Sequence, residues 1–396
     1  MAGQNREQRR VNELNQEINC QCQEIDDAIR GATPNFDIDD IPEEVQGHVI
    51  FDSLSGRGQL HVATGFTEDE INRLYQMTRL FCVTVRQPGP RPRSSWLDMI
   101  VCYLAWAKLG CDYPKLALLL SGISATRLED NIKRIRPVLK DTLIQKWFDS
   151  PQRPRPLTDT PFPHVALLVD AHTTPCYHPK ARFDEAKIYF DGKNRIYRLK
   201  TEVAVSAQAP YYCTHVSSSV PGSVHDFELF KKGYERYLTF LMKLPAEHAA
   251  LVGDRDDRYW ALLCDKGYIR PDDASPDVRR ICPVKNPQNH NDRMMNNLKA
   301  QKHVMIECFF GRLLGLFNIF RTCYRWSHSH FDDDFLIYCG LTNEVISSLS
   351  LCELDYRLYK AMQEKRVQQY EGKVRKRKQE QDSYLDRRRR RLSLGE

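Results

Sequence analysis

The sequence predicts an α/β protein, a mixed β-sheet flanked by helices and preceded by an all-α region. Three observations predict it. His164-Val-Ala-Leu-Leu-Val-Asp170 is a continuous apolar run closed by an acid, the pattern of a strand buried on both faces. Tyr197, Leu199, Thr201, Val203 and Val205 alternate with period two, so residues 197–206 read as a strand beside the first. Upstream, residues 94–136 carry helical periodicity with serines placed to cap.

In chain order, residues 1–46 form a charged leader. Val11, Leu14, Ile18, Ile25 and Ile29 would make a narrow apolar stripe on a helix over residues 5–30, either for self-association or as a frayed leader helix. An acidic loop (Asp37–Glu44) follows. Residues 47–149 are expected to form a helical domain, in which Thr67-Glu-Asp-Glu70 is a capping-box start. Ser94 and Ser95 can cap Trp96–Leu109. Pro114–Leu120 is a short apolar stretch, and Ser124 can cap Ala125–Arg136 after the Ser121-Gly122 turn. This order matches helix-turn-helix spacing, with Arg127, Lys133, Arg134 and Arg136 as DNA contacts, although small helical bundles share the pattern.

Residues 150–163 carry five prolines and read as an extended linker. Beyond it, Tyr211–Ser219 reads as a further antiparallel strand. Ser223-Val-His-Asp226 opens a helix reaching about Lys243, with Asp226 as a first-turn acid capped together with Ser223. Trp260-Ala-Leu-Leu-Cys-Asp265 is a second buried strand ending in an acid. Ile281–Val284 is a short edge strand, and Leu298–Phe320 a long helix containing Glu307. Residues 347–396 are read as a helix followed by a disordered basic tail.

The 396 residues carry a net charge of +6. Residues 373–396 hold ten Lys/Arg against four Asp/Glu, which accounts for all of it, so the body has no uniform positive field. The tail clusters Lys373, Arg375, Lys376, Arg377, Lys378 and Arg387, Arg388, Arg389, Arg390, Arg391 suit a bipartite nuclear import signal or a polybasic arm on DNA phosphate. Thirteen scattered cysteines without a CxxC pair indicate free thiols inside the cell. No apolar run approaches the roughly 18–20 residues of a membrane helix.

Asp170, Asp265 and Glu307 are the candidate catalytic and metal-binding residues. Two strands ending side by side and a helix crossing above them would gather three carboxylates, the hard oxygen donors that Mg2+ or Mn2+ accepts. Glu307 sits in the otherwise apolar Val304-Met-Ile-Glu-Cys-Phe-Phe-Gly311, where a charge is costly unless paired or metal-bound. Leu251-Val-Gly-Asp254 offers Asp254 as the alternative second aspartate, but it runs into the solvated turn Arg255–Arg258, and Asp265 is favoured. His172, Cys176 and His178 suggest zinc only weakly, since no second ligand pair accompanies them. His172 is also placed to line the catalytic pocket, and His225 to sit near it. Arg198 and Lys200, with Arg195, are placed to touch DNA phosphate or to form an ordinary polar sheet face.

Residues 164–346 resemble the catalytic domain of Harbinger-type transposases, the DDE superfamily endonucleases. The resemblance runs in order through Val169-Asp170, Lys187–Lys193 with Tyr197–Val205, Pro221–Phe230, Trp260–Tyr268, Val304–Leu313, and Arg325-Trp326 through Leu341-Thr-Asn343. It implies a ribonuclease H-like fold in which Asp170, Asp265 and Glu307 hold two Mg2+ ions. It also implies cutting of DNA at transposon ends, transfer of the 3′-hydroxyl to target DNA, and a Myb-like accessory protein. Paired-end cutting would suit a homo-oligomer in the nucleus. A domesticated, non-cleaving DNA-binding protein is the alternative, and a non-transposing nuclease of the same fold a third reading.

Overall fold

A computed structural model describes residues 47–84, 94–120, 123–149, 157, 161–177, 187–191, 196–244, 247, 258–269 and 278–393. The leader helix, the acidic loop, most of the linker, His178, Arg195 and Asp254 lie outside the described residues.

Helices α1 (Val49–Gly56), α2 (Leu60–Thr64) and α3 (Glu68–Thr84) lead into α4 (Trp96–Leu109), α5 (Tyr113–Leu120) and α6 (Ala125–Leu143). The capping box forms at α3: Thr67 N–H donates to Glu70 Oε2 at 2.8 Å, and Glu70 N–H donates to Thr67 Oγ1 at 3.3 Å. Ser95 caps α4 through Asp98 N–H, and Ser124 caps α6 through Arg127 N–H. α6 overruns its predicted end at Arg136 and passes through Pro137. Burial of Val138, Leu139 and Leu143 holds it there, since packing outweighs local propensity. All of α4 from Leu97 to Ala107 is buried. A helix apolar all round belongs in a core, so α4 is not the outer helix of a free-standing DNA-binding module.

The sheet comprises β1 (Val165–Pro175), β2 (Phe190–Asp191), β3 (Ile196–Ser206), β4 (Cys213–Val216) and β5 (Val220–Pro221). After α7 (Asp226–Lys232) and α8 (Tyr234–Leu241) it is completed by β6 (Ala261–Cys264) and β7 (Arg280–Ile281). The strand order is β2-β3-β1-β6-β7, with β4 and β5 also paired to β3. β1 and β3 are antiparallel, with Asp170 opposite Val203; β1 and β6 are parallel, with Val169 beside Cys264; β6 and β7 are parallel. This is a mixed sheet consistent with the ribonuclease H-like fold. β1 does not stop at Asp170 as predicted but continues to Pro175, because β3 goes on pairing with it as far as Arg198. The helix predicted from Asp226 to about Lys243 breaks at Gly233 into α7 and α8.

Side chains alternate across the strands. Leu168, Val203, Val205, Ala261 and Leu263 point to one face and join the large apolar cluster. Leu167, Val169, Ala204, Leu262 and Cys264 point to the other, where Phe227, Phe230 and Tyr237 of α7 and α8 cover them. On the first face lie α9 (His290–Leu316), α10 (Asn318–Arg321) and α11 (Phe331–Ser348). The large cluster also takes in α4 and α6, so the predicted helical and catalytic domains share one core.

A buried polar knot at this junction involves Asp334 of α11. Arg136 Nε lies 2.7 Å from its Oδ1, Tyr103 O–H donates to Oδ1 at 2.8 Å, and Tyr324 O–H donates to Oδ2 at 2.9 Å. Asn343 performs a second tying role. Its amide accepts from Cys213 N–H and donates to Cys213 C=O, both at 2.8 Å, pinning β4 to α11.

The chain closes with α12 (Glu353–Ser393), which includes the arginine run predicted to be disordered. Good helix formers (Arg, Lys, Gln, Glu) and Glu-to-Arg pairs four residues apart, such as Glu371–Arg375, favour the helix. Its first turns pack on α9. A Cβ at Gly311 would collide with Asp355 C=O, so only glycine permits this approach. Arg312 locks the contact with a forked ion pair to Asp355 at 2.7 and 2.8 Å.

Candidate active site

Asp170 and Asp265 come together because the register requires it. Val169 and Cys264 are paired on parallel neighbours, so the next residues stand side by side at a spacing of about 5 Å. Asp265 keeps an extended backbone (φ −75°, ψ 173°) before the 3-10 turn Lys266–Tyr268. Alternation then turns both carboxylates to the face that α9 crosses.

α9 brings the third acid over this edge. His303, Glu307 and Phe310 lie at i, i+4 and i+7 on one helical stripe. At one end of the stripe, His303 Nε2 lies 3.2 Å from Val169 C=O; at the other, the Phe310 ring is 5.0 Å from that of His172. Glu307, between them on the stripe, is half-buried. An open groove between α9 and α12 runs away from it, lined by Tyr359, Lys360, Gln363 and Glu364 among others.

The electrostatics link the acids. Burial pushes the Asp170 carboxyl up to about 6; His303 opposes this, while Asp265 and Asp226 reinforce it. Burial also raises Glu307, with His303 and Lys360 opposing and Asp265 adding to the rise. One imidazole, His303, therefore faces two of the three acids. Its signal in the sequence was its position four residues before Glu307.

Among the described residues no three His, Cys, Asp or Glu side chains converge tightly enough to cage a metal by themselves. Mg2+ does not require that, since it keeps several waters and binds through one or two carboxylates plus substrate phosphate. Hard-oxygen donors side by side, short of counter-charge, with one pKa raised towards neutrality, fit such an ion.

Two acids on the opposite face support the site. Asp226 Oδ1 takes Lys200 Nζ at 2.8 Å, and its Oδ2 occupies the space a Cβ on Gly267 would need, at 2.5 Å. The turn after Asp265 is thus shaped around Asp226. The N-cap of α7 is His225, whose Nδ1 accepts from Phe227 N–H, rather than Ser223. Glu202 is completely buried and accepts from Tyr237 O–H at 2.7 Å. Burial raises its pKa from 4.5 to about 7, with Asp226 and Asp170 adding to the rise and the Tyr237 and Tyr268 hydroxyls opposing it. Between those two values the folded chain holds a proton that the unfolded chain has released, so stability falls as pH rises through that window. Glu202→Gln, which keeps an acceptor for Tyr237, should be increasingly more stable than the parent from pH 5 to pH 8 by urea denaturation. Parallel pH profiles would contradict this.

The other predicted residues are placed differently. Arg136 is buried in the Asp334 knot, and its guanidinium also lies 5.6 Å from the Trp106 ring centre, so it offers DNA no surface. Arg198 is likewise buried, donating to Thr173 Oγ1 at 2.6 Å, and Lys200 is occupied by Asp226 and Val224 C=O. Both are structural cations of the sheet rather than phosphate contacts. Arg127 Nε donates to Ser94 Oγ at 3.0 Å, and Arg134 is half-buried. Lys133 is exposed and pairs with Glu129 at 2.8 Å, an ion pair weak enough to yield to phosphate. His172 shares the Asp170 face but is buried between Phe310 and Phe335, and Cys176 is a buried free thiol.

No curated protein and no solved structure matches the chain. Residues 169–343, which run from the residue before Asp170 to Asn343 and hold all three acids, match the family model described as DDE superfamily endonuclease, so this part of the chain is similar to transposase-type nucleases.

Proposed function

We propose that the chain is a metal-dependent DNA transposase of the Harbinger type. In this reading it cuts DNA at the ends of a mobile element and joins the freed 3′-hydroxyl to target DNA. What supports the reading is the register that sets Asp170 beside Asp265, together with Glu307 on α9, whose carboxyl Asp265 helps to raise. Asp170 and Asp265 would hold the ions from the sheet edge, and Glu307 would complete the set from the helix. A divalent metal pair, when bound, would activate water and stabilise the leaving oxygen of a phosphodiester. His303 limits the mutual repulsion of the acids and fixes the height of α9 through Val169 C=O. Asp226 fills the space beside Gly267 in the turn that follows Asp265.

DNA ends and target DNA are the substrates in this reading. The nucleus is the place of work, and a homo-oligomer suits cutting at two ends. A Myb-like accessory protein is the partner that the resemblance suggests. The test is strand cleavage of duplex DNA in Mg2+ or Mn2+ against a chelator control. Divalent-dependent nicking is expected, and failure of either cation to support cleavage of any duplex, end-containing or not, overturns the reading.

A further inference from the structure

Among the described residues, α12 is anchored at its root. Asp355 and Met362 are buried, whereas from Glu364 onward every described side chain is exposed. The thirty residues from Glu364 to Ser393 make a rod about 45 Å long. They carry twelve Lys/Arg against five Asp/Glu. Its excess of like charges repels along the helix until a polyanion compensates them. The root is stiff, because Arg312 grips Asp355 and also donates to Leu349 and Ser350 C=O at 2.7 and 3.1 Å. It also borders the site, since Tyr359, Lys360 and Gln363 share the groove with Glu307.

We propose that the exposed part of α12 is a duplex-binding arm that lies along the phosphates of DNA entering the site at Glu307. The proposal rests on the nuclease reading and names the surface that holds the substrate beside it. Rod length and charge fit this occupant: about 45 Å corresponds to about 13 base-pair steps of 3.4 Å. The arm replaces the sheet cations Arg198 and Lys200, which are internally committed.

The test uses the full chain with Lys365, Arg375, Lys376 and Lys378 changed together to Gln. All four side chains are exposed. Affinity for a duplex of arbitrary sequence is measured by fluorescence anisotropy in chelator across a salt series, with circular dichroism confirming helix content. Each phosphate contact adds about 0.9 to the slope of log affinity against log salt. The variant is expected to lose about 3–4 from that slope and to bind roughly tenfold or more weakly at about 0.1 M salt. A wild type that cleaves DNA while the variant keeps the same slope overturns the arm and leaves the nuclease reading standing; this is also the outcome if the basic run serves import alone. A wild type that neither binds nor cleaves any duplex overturns both.

Discussion

Asp265→Asn is expected to abolish divalent-dependent strand cleavage, with a loss of at least about 10³-fold, which is about 4 kcal/mol of transition-state stabilisation. The substitution keeps shape and hydrogen-bonding capacity but removes the charge that holds a hard cation. Asp170→Asn and Glu307→Gln are expected to fall with it, because the three acids act as one set and their losses are not additive. The same variants are expected to melt at or above the wild-type temperature in chelator. Burial and mutual repulsion raise the Asp170 and Glu307 carboxyls, so neutralising one relieves strain in the metal-free fold. Lost activity without lost stability separates a metal ligand from a merely structural acid. If Asp265→Asn cuts as well as the parent while Asp254→Asn does not, the second aspartate is wrongly assigned.

Asp334→Ala is expected to destabilise the fold by about 3–5 kcal/mol, because it strands a buried guanidinium without its carboxylate. Asp334 is completely buried and satisfies Arg136, Tyr103 and Tyr324 together, so one deletion leaves three polar groups facing a void. The double change Arg136→Met with Asp334→Leu should recover much of the loss, since apolar residues of similar volume can replace a buried ion pair. Urea denaturation measures both. A cost below about 1 kcal/mol for Asp334→Ala would mean that water reaches the pair.

Much of the candidate site was legible because its residues stand on regular strands and one regular helix. An apolar run closed by an acid identifies a buried strand, and it picked out both Asp170, within β1, and Asp265, directly after β6. Its apolar neighbours in Val304–Gly311 identified Glu307 as a charge needing a partner. The cap positions Ser95, Ser124 and the Thr67–Glu70 box were equally legible, because a cap is a bond between residues two or three apart.

The misplaced residues share one cause. Arg136, Arg198 and Lys200 are cations on amphipathic elements, and a local pattern does not tell a solvated face from one that meets a partner elsewhere in the fold, here Asp334, Thr173 and Asp226. Asp334 lies 198 residues from Arg136.

By itself, then, the sequence determined the buried runs that carry Asp170 and Asp265 and the capped starts of α3, α4 and α6, because these follow from short-range periodicity and capping; the long helix, expected from Leu298, begins at His290. Only the tertiary structure decided that α4 is a core helix, that the arginine run continues as a helix, and that the strands carrying Asp170 and Asp265 are parallel neighbours. Register and long-range ion pairing depend on residues far apart in the chain, and no local spacing encodes them.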